Sequence, residues 1–493
     1  MKYLIPASPN TTGSKLVLWI TCMLFVVCNG VLLMKGVPYL SLIPVALIGI
    51  VLVFISPEKT LIGLAFLAPI SIELSMPSLS FSIILPTEPI LLLFLVALVF
   101  IQFTPNRFPK GIIYHPTSLA IFGFMGWLLI SAITSEYPLV SVKHFLMKGW
   151  FFAAFFFFTI PLFKNKQNIH RFFWAFILGL SIIAAYSLFI QAGSGLFSKT
   201  AAASSPCPFF NDHTSYAAAI AIIIPFLALL ITAKNSVGRR IIILLVLIFF
   251  ISALVLSYTR AAWLSLFFAG GVFVLIHFRI RLRTIAAIAG IFVVTFFYFR
   301  EEITTSVERT KAVSSTNLLE HLQSITNISS DASNAERLNR WHSAIELFKE
   351  RPIMGWGPGT YIFVYGDFQI AQDRTVISTN RGTGGNAHSE YLGLMAESGL
   401  PSLALYLLIL ATLFYKGVRY YQTSSDKEMR LLVMAALLGI STYIMHSSLN
   451  NFLDVDEIAA PFWAFAAVIV AADISLKENT NDPTALKAKD YVS

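Results

Sequence analysis

Apolar runs recur along nearly the whole chain, each long enough to carry a helix across a hydrocarbon core of about 30 Å. With 56% hydrophobic and only 12% charged residues, the composition excludes a soluble domain. The pattern predicts an all-α polytopic membrane protein with about 12–14 transmembrane helices and one large, partly helical loop. The first span is expected near Leu16–Met34 and the last near Ile458–Ile474. Thr60–Leu74 is counted among them although it is short for a crossing, and a re-entrant helix has the same periodicity.

Lys and Arg fall unevenly between the short loops. One set carries Lys59, Lys110, Lys164, Lys166, Arg239, Arg240, Arg279, Arg281 and Arg283, whereas the opposite set holds Lys35, Lys143, Lys199 and Arg260. The positive-inside rule then predicts cytoplasmic termini and an outer long loop. The net charge of +9 follows from this topology; no basic soluble face with base-reading groups suggests nucleic acid. The expected organisation is N-terminal spans over 1–299, a loop domain over 300–400, C-terminal spans over 401–476 and a cytoplasmic tail over 477–493. No cleaved leader is read in the first span. Cys22, Cys28 and Cys207 offer neither a disulfide framework nor a metal spacing.

The loop is a polar island within this apolar chain. Ala335–Glu350 has helical spacing, with Leu338, Trp341, Ile345 and Phe348 as the apolar face, Asn334 as N-cap and Pro352 as terminator. Two glycine-rich runs follow, Gly355-Trp-Gly-Pro-Gly359 and Arg381–Asn386. The second leads into a short helix expected from about Ala387, which places His388 in its first turn and Tyr391 one turn on. A helix start disfavours an added proton and leaves the imidazole neutral, able to accept one.

Arg337-x-x-x-Trp341, Pro352-x-x-Gly355-x-Gly357-x-Gly359, His388-Ser389-x-Tyr391-Leu392 and Glu397-x-Gly399-Leu400 together resemble the O-antigen ligase and polymerase superfamily of bacterial membrane glycosyltransferases. Tyr258-Thr-Arg260-Ala-Ala-Trp263 resembles that family's arginine-bearing turn at an outer membrane boundary. The resemblance implies transfer of a glycan from an undecaprenyl or other polyprenyl pyrophosphate to an acceptor hydroxyl at the periplasmic face of the inner membrane. The acceptor is lipid A–core for a ligase, another lipid-linked repeat for a polymerase, and a protein hydroxyl for a related protein ligase.

Such chemistry needs guanidinium groups on a departing diphosphate and a base on the acceptor. Arg260 and Arg337 are the candidates for the first role and His388 for the second, with inversion at the anomeric carbon. His213, Lys148 and Tyr391 are secondary candidates, His213 because an arginine expected near it is missing. Asp454-Val455-Asp456 has the Asp-x-Asp spacing of metal-dependent transferases but reads more simply as a polar outer turn. No metal or cofactor is expected. The rival from a different class is a transporter of the same lipid-linked glycan, which would spread its charges along the spans.

Overall fold

The computed structural model describes residues 12–34, 42–76, 81–104, 108–233, 235–281, 283–284, 332–370, 378 and 385–480. A further span expected at Leu282–Phe299 lies outside them but for residues 283–284, as does the start of the expected loop. Packing divides the chain into two units, Met1–Pro57 and Glu58–Ser493. The first contributes α1 (Thr12–Met34) and α2 (Leu42–Ile55).

In the second unit α3 (Pro57–Leu67) gives way to a 3-10 turn, Ala68–Ile70, which contains Pro69. Strands β1 (Ile72–Met76) and β2 (Phe81–Leu85) then pair antiparallel, Ile72 opposite Leu85. Thr60–Leu74 is therefore not one through-going span. Proline removes a donor and stops the helix at Leu67, and its eleven residues cover about 16 Å, half a bilayer core.

The remaining helices of ten residues or more are α4 (Thr87–Ile101), α5 (Pro116–Ile133), α6 (Pro138–Phe163), α7 (Lys166–Ser194), α8 (His213–Thr232), α9 (Val237–Leu256), α10 (Arg260–His277), α11 (Ala332–Glu350), α12 (Glu390–Thr423), α13 (Lys427–His446) and α14 (Asp456–Thr480). Among the described residues, nine helices have the length and apolarity to cross a membrane, and Trp19–Leu32 and Thr87–Ile101 are shorter apolar stretches. The protein is an all-α polytopic membrane protein with a single small hairpin among its described residues. In lipid every backbone group must find its partner within the chain, which is why helices dominate.

The helix α14 is the axis of the core: 94% of its apolar window is buried. Its Ala459, Ala460, Ala464, Ala466, Ala467, Ala471 and Ala472 are small enough for close approach by neighbouring helices. Phe152 of α6 packs on Trp463 at 4.5 Å, and Phe173 of α7 stacks on Phe465 at 4.4 Å.

Side-chain pairs show which helix ends lie together. The starts of α8 and α10 meet where the Thr259 hydroxyl donates to the His213 carbonyl at 3.2 Å. The start of α12 meets the end of α13 where Glu390 N donates to Ser447 O at 2.9 Å. At the other end Lys164 pairs with Glu478 at 2.7 Å, Lys166 with Asp426 at 2.8 Å, and Arg279 donates to the Gln422 carbonyl at 3.3 Å.

Candidate active site

All the motif residues are found at the first of these two ends. Helix α11 starts at Ala332, so Asn334 lies within it rather than capping it. Its buried stripe is Glu336, Asn339, Arg340, Ser343, Ala344 and Leu347, while Leu338, Trp341 and Phe348 are half-buried and Ile345 is exposed. The face expected from the apolar residues is thus rotated by about one position. Four polar side chains occupy the inner face, each hydrogen-bonded, although Asn339 Oδ1 has no partner.

Arg340 Nε donates to Glu336 Oε1 at 2.7 Å, its guanidinium covers the Tyr365 ring at 4.2 Å, and Nη1 donates to the Asn386 carbonyl at 3.4 Å. Ser378 donates to Glu336, and Asn339 Nδ2 donates to Gln369 Oε1 at 3.0 Å. Burial pushes the Glu336 carboxyl up, but the bonds from Ser378 and Arg340 outweigh it and hold the group below the ordinary carboxylate range.

His388 precedes its helix instead of opening it. Ser389 is the N-cap and α12 begins at Glu390, while His388 has φ +49°, in the left-handed region. Two contacts hold this turn: His388 N donates to Asn386 Oδ1 at 3.0 Å, and Trp341 Nε1 donates to His388 O at 3.1 Å. The imidazole is pushed down to about 4, first by burial, then by the charges of Arg337 and Arg340, with Asp212 and Glu336 opposing. A neutral His388 was expected, but burial and the two arginines are its causes rather than the helix dipole.

Arg337 stands half-buried beside this turn, its Nε donating to Leu449 O at 3.1 Å. Arg260 is the first residue of α10, next to the Thr259 that grips the start of α8 and two after Tyr258, which has φ +55°. Of the cations, Arg337 and Arg340 act most strongly on His388. At the start of α8, Asp212 accepts from Thr214 N and Ser215 N, and His213 is half-buried with an unpartnered Nδ1.

Lys148 lies ten residues into α6, about 15 Å along it. It neither snorkels nor stands alone: it pairs with Asp454 Oδ1 at 2.6 Å and with Glu390 Oε1 at 3.5 Å. Burial raises the Asp454 carboxyl, but Lys148 and His144 more than offset this and hold it low. Asp456 faces Thr87, so the two carboxylates of the Asp-x-Asp triplet turn to different partners. The Tyr391 hydroxyl donates to Ile444 O at 3.0 Å and accepts from Ser447 at 3.1 Å.

Glu397 accepts from Gly359 N at 2.9 Å and Tyr361 N at 3.1 Å, which ties the first glycine run to the short helix after His388. Gly357 (φ +116°) lies so close to α5 and α6 that a Cβ there would meet Ser135 Oγ at 2.0 Å. The run is a packing joint.

Residues 245–407 match the family model for O-antigen ligase. The chain carries an O-antigen ligase domain. The match supports the O-antigen ligase and polymerase superfamily, and with it glycan transfer of the kind that superfamily performs. The match takes in Arg260, Arg337, His388 and Tyr391, and leaves Lys148, His213 and the return loop after His446 outside. No curated protein matches the chain.

The part this return loop plays in holding Arg337 and the histidine arm is what sequence reasoning missed. Its backbone carbonyls receive Arg337, Asn386 and Glu390, and Phe452 N donates to Tyr443 Oη at 3.1 Å. The sequence signal was slight: a cluster of Ser and Asn between two spans, where a tight outer turn needs only brevity.

Proposed function

We propose that this protein transfers a glycan from a polyprenyl-pyrophosphate carrier to an acceptor hydroxyl, with O-antigen ligation to lipid A–core as the leading reaction. The arrangement that carries this reading is a half-buried imidazole, held towards its neutral form by burial and by the charges of two arginines, inside the matched O-antigen ligase domain.

His388 accepts the proton of the acceptor hydroxyl as its oxygen attacks the anomeric carbon. The bond from that carbon to the phosphate oxygen breaks on the opposite face, giving inversion. The pyrophosphate departs with the bonding electrons, its charge met by Arg337 and Arg260. Arg340, committed to Glu336 and Tyr365, holds the field and the geometry. A base held near 4 is weak in the free protein. A pyrophosphate seated by the arginines offsets their charge and raises the imidazole towards its ordinary value, so the base becomes competent when the donor is in place.

We assign the site to the periplasmic face of the inner membrane, because Lys164, Lys166 and Arg279 of the lysine- and arginine-rich loops lie at the opposite end of the bundle. The clustering of cations beside one imidazole, rather than along the spans, favours transfer over transport.

Purified protein in lipid, given a lipid-linked glycan and candidate acceptors, tests the reading. A glycoconjugate of inverted configuration from wild type, and none from a folded His388→Ala variant, is the expected result. Lipid scrambling without product would overturn it. Product on lipid A–core identifies a ligase, and lengthened lipid-linked glycan a polymerase.

A further inference from the structure

The turn that follows α13 joins both halves of the candidate site. Ser447 O accepts from Glu390 N at 2.9 Å, Leu449 O accepts from Arg337 Nε at 3.1 Å, and Asn451 O accepts from Asn386 Nδ2 at 3.0 Å. Asn386 in turn accepts from His388 N at 3.0 Å. Within five residues one piece of chain therefore grips the arginine on one side and the histidine arm on the other.

A turn holding three external donors by its carbonyls needs its own shape fixed. Leu449 N and Asn450 N both donate to the His446 carbonyl, at 3.0 and 3.1 Å, and Asn450 Nδ2 donates to His446 Nε2 at 3.0 Å. That side-chain bond is deeply buried, His446 being 1% and Asn450 4% exposed. A buried imidazole and amide carry a desolvation cost that an apolar pair would not, and the bond between them selects one turn geometry.

We propose that the His446–Asn450 pair is a positioning element of the transferase, setting Arg337 at a fixed distance from His388. Both residues lie outside the matched domain, and neither was among the sequence-derived candidates. The inference rests on the proposed glycan transfer and adds a residue pair acting on donor and base together. Without the bond the turn relaxes, the Leu449 carbonyl shifts, and Arg337 leaves its place beside the imidazole.

Kinetics on lipid-linked donor test it, comparing wild type, His446→Ala and His446→Gln. The glutamine carbonyl reaches the place of Nε2 and accepts from Asn450, whereas alanine cannot. His446→Ala should lower kcat about tenfold and raise the donor KM. It should also move the acid limb of kcat/KM upward, because Arg337 then depresses His388 less while Arg340, Glu336 and Asp212 stay in place. His446→Gln should restore rate and limb together.

Wild-type kinetics in His446→Ala, or equal impairment of the two variants, overturns the proposal. Where His446→Ala fails to assemble, Asn450→Ala against His446→Gln decides: the first should shift the limb and the second should not, and the reverse overturns it. A wild-type protein inactive on every donor sinks the transferase reading itself and this inference with it. An active wild type with indifferent variants sinks only the inference.

Discussion

Trp341 donates its indole N–H to the carbonyl oxygen of His388 at 3.1 Å. With the Asn386 side chain on the His388 amide, this fixes both peptide planes around a residue held at φ +49°. A left-handed conformation outside glycine persists only where its surroundings specify it. Trp341→Phe keeps an aromatic but smaller side chain and removes the donor, and the lost hydrogen bond is worth about 1 kcal/mol. Turnover should fall about fivefold with little change in thermal midpoint. Undiminished turnover would show that the carbonyl needs no anchor.

The pH profile should separate free protein from donor complex. The active imidazole is neutral, so the rate falls as the pH drops through its pKa. In the free protein that value is held down to about 4 by burial and by Arg337 and Arg340. The acid limb of kcat/KM, which reports free protein, should lie there. The limb of kcat should lie higher, because bound pyrophosphate offsets the arginines. Coincident limbs would count against a diphosphate seated beside the imidazole.

Lys148 stands between Asp454 and Glu390 with its side chain 6% exposed. Lys148→Met keeps the volume and strips both carboxylates of their cation. Breaking a buried pair in this way costs roughly 3–5 kcal/mol. The thermal midpoint in detergent should fall markedly, and Asp454→Asn added to Lys148→Met should recover part of the loss by removing one uncompensated charge. An unchanged midpoint in the single variant would mean that water reaches the network.

Sequence made the spans legible because hydrocarbon length is a one-dimensional constraint. The crossing at Thr60–Leu74 misled because Pro69 breaks a run that hydropathy averages over. Arg337, Trp341, His388 and Tyr391 were picked out by the motifs of the family resemblance, and the fold places Arg337 and Trp341 beside His388. Arg340 was not: it lies on a buried helical stripe with Glu336, Asn339 and Ser343, and apolar periodicity is blind to an inner face built from hydrogen-bonded polar side chains. The same blindness hid His446 and Asn450, whose importance lies in carbonyl positions that no side-chain pattern records.

The Ser398–Gly399 break offers the sharpest test of how the loop domain is joined to the spans. It separates the short helix after His388 from the long run of α12, and Gly399 has φ +71° and ψ −179°, a conformation open essentially to glycine alone. A Cβ there would sit 1.8 Å from the Ile353 carbonyl oxygen, a backbone atom already placed by Leu400 N donating to Pro352 O at 2.9 Å. Trp127 of α5 holds the same break by donating to Ser398 O at 2.8 Å. Neither side of the clash can yield without moving the segment that carries His388. Gly399→Ala should therefore cost about 3 kcal/mol or more and remove most turnover. Gly271→Ala in α10, where a Cβ meets nothing within 4 Å, should leave both unchanged or slightly improved. Thermal unfolding and turnover of the two variants side by side check the point. A Gly399→Ala protein as stable and active as wild type would show that the break is not what aims the histidine arm.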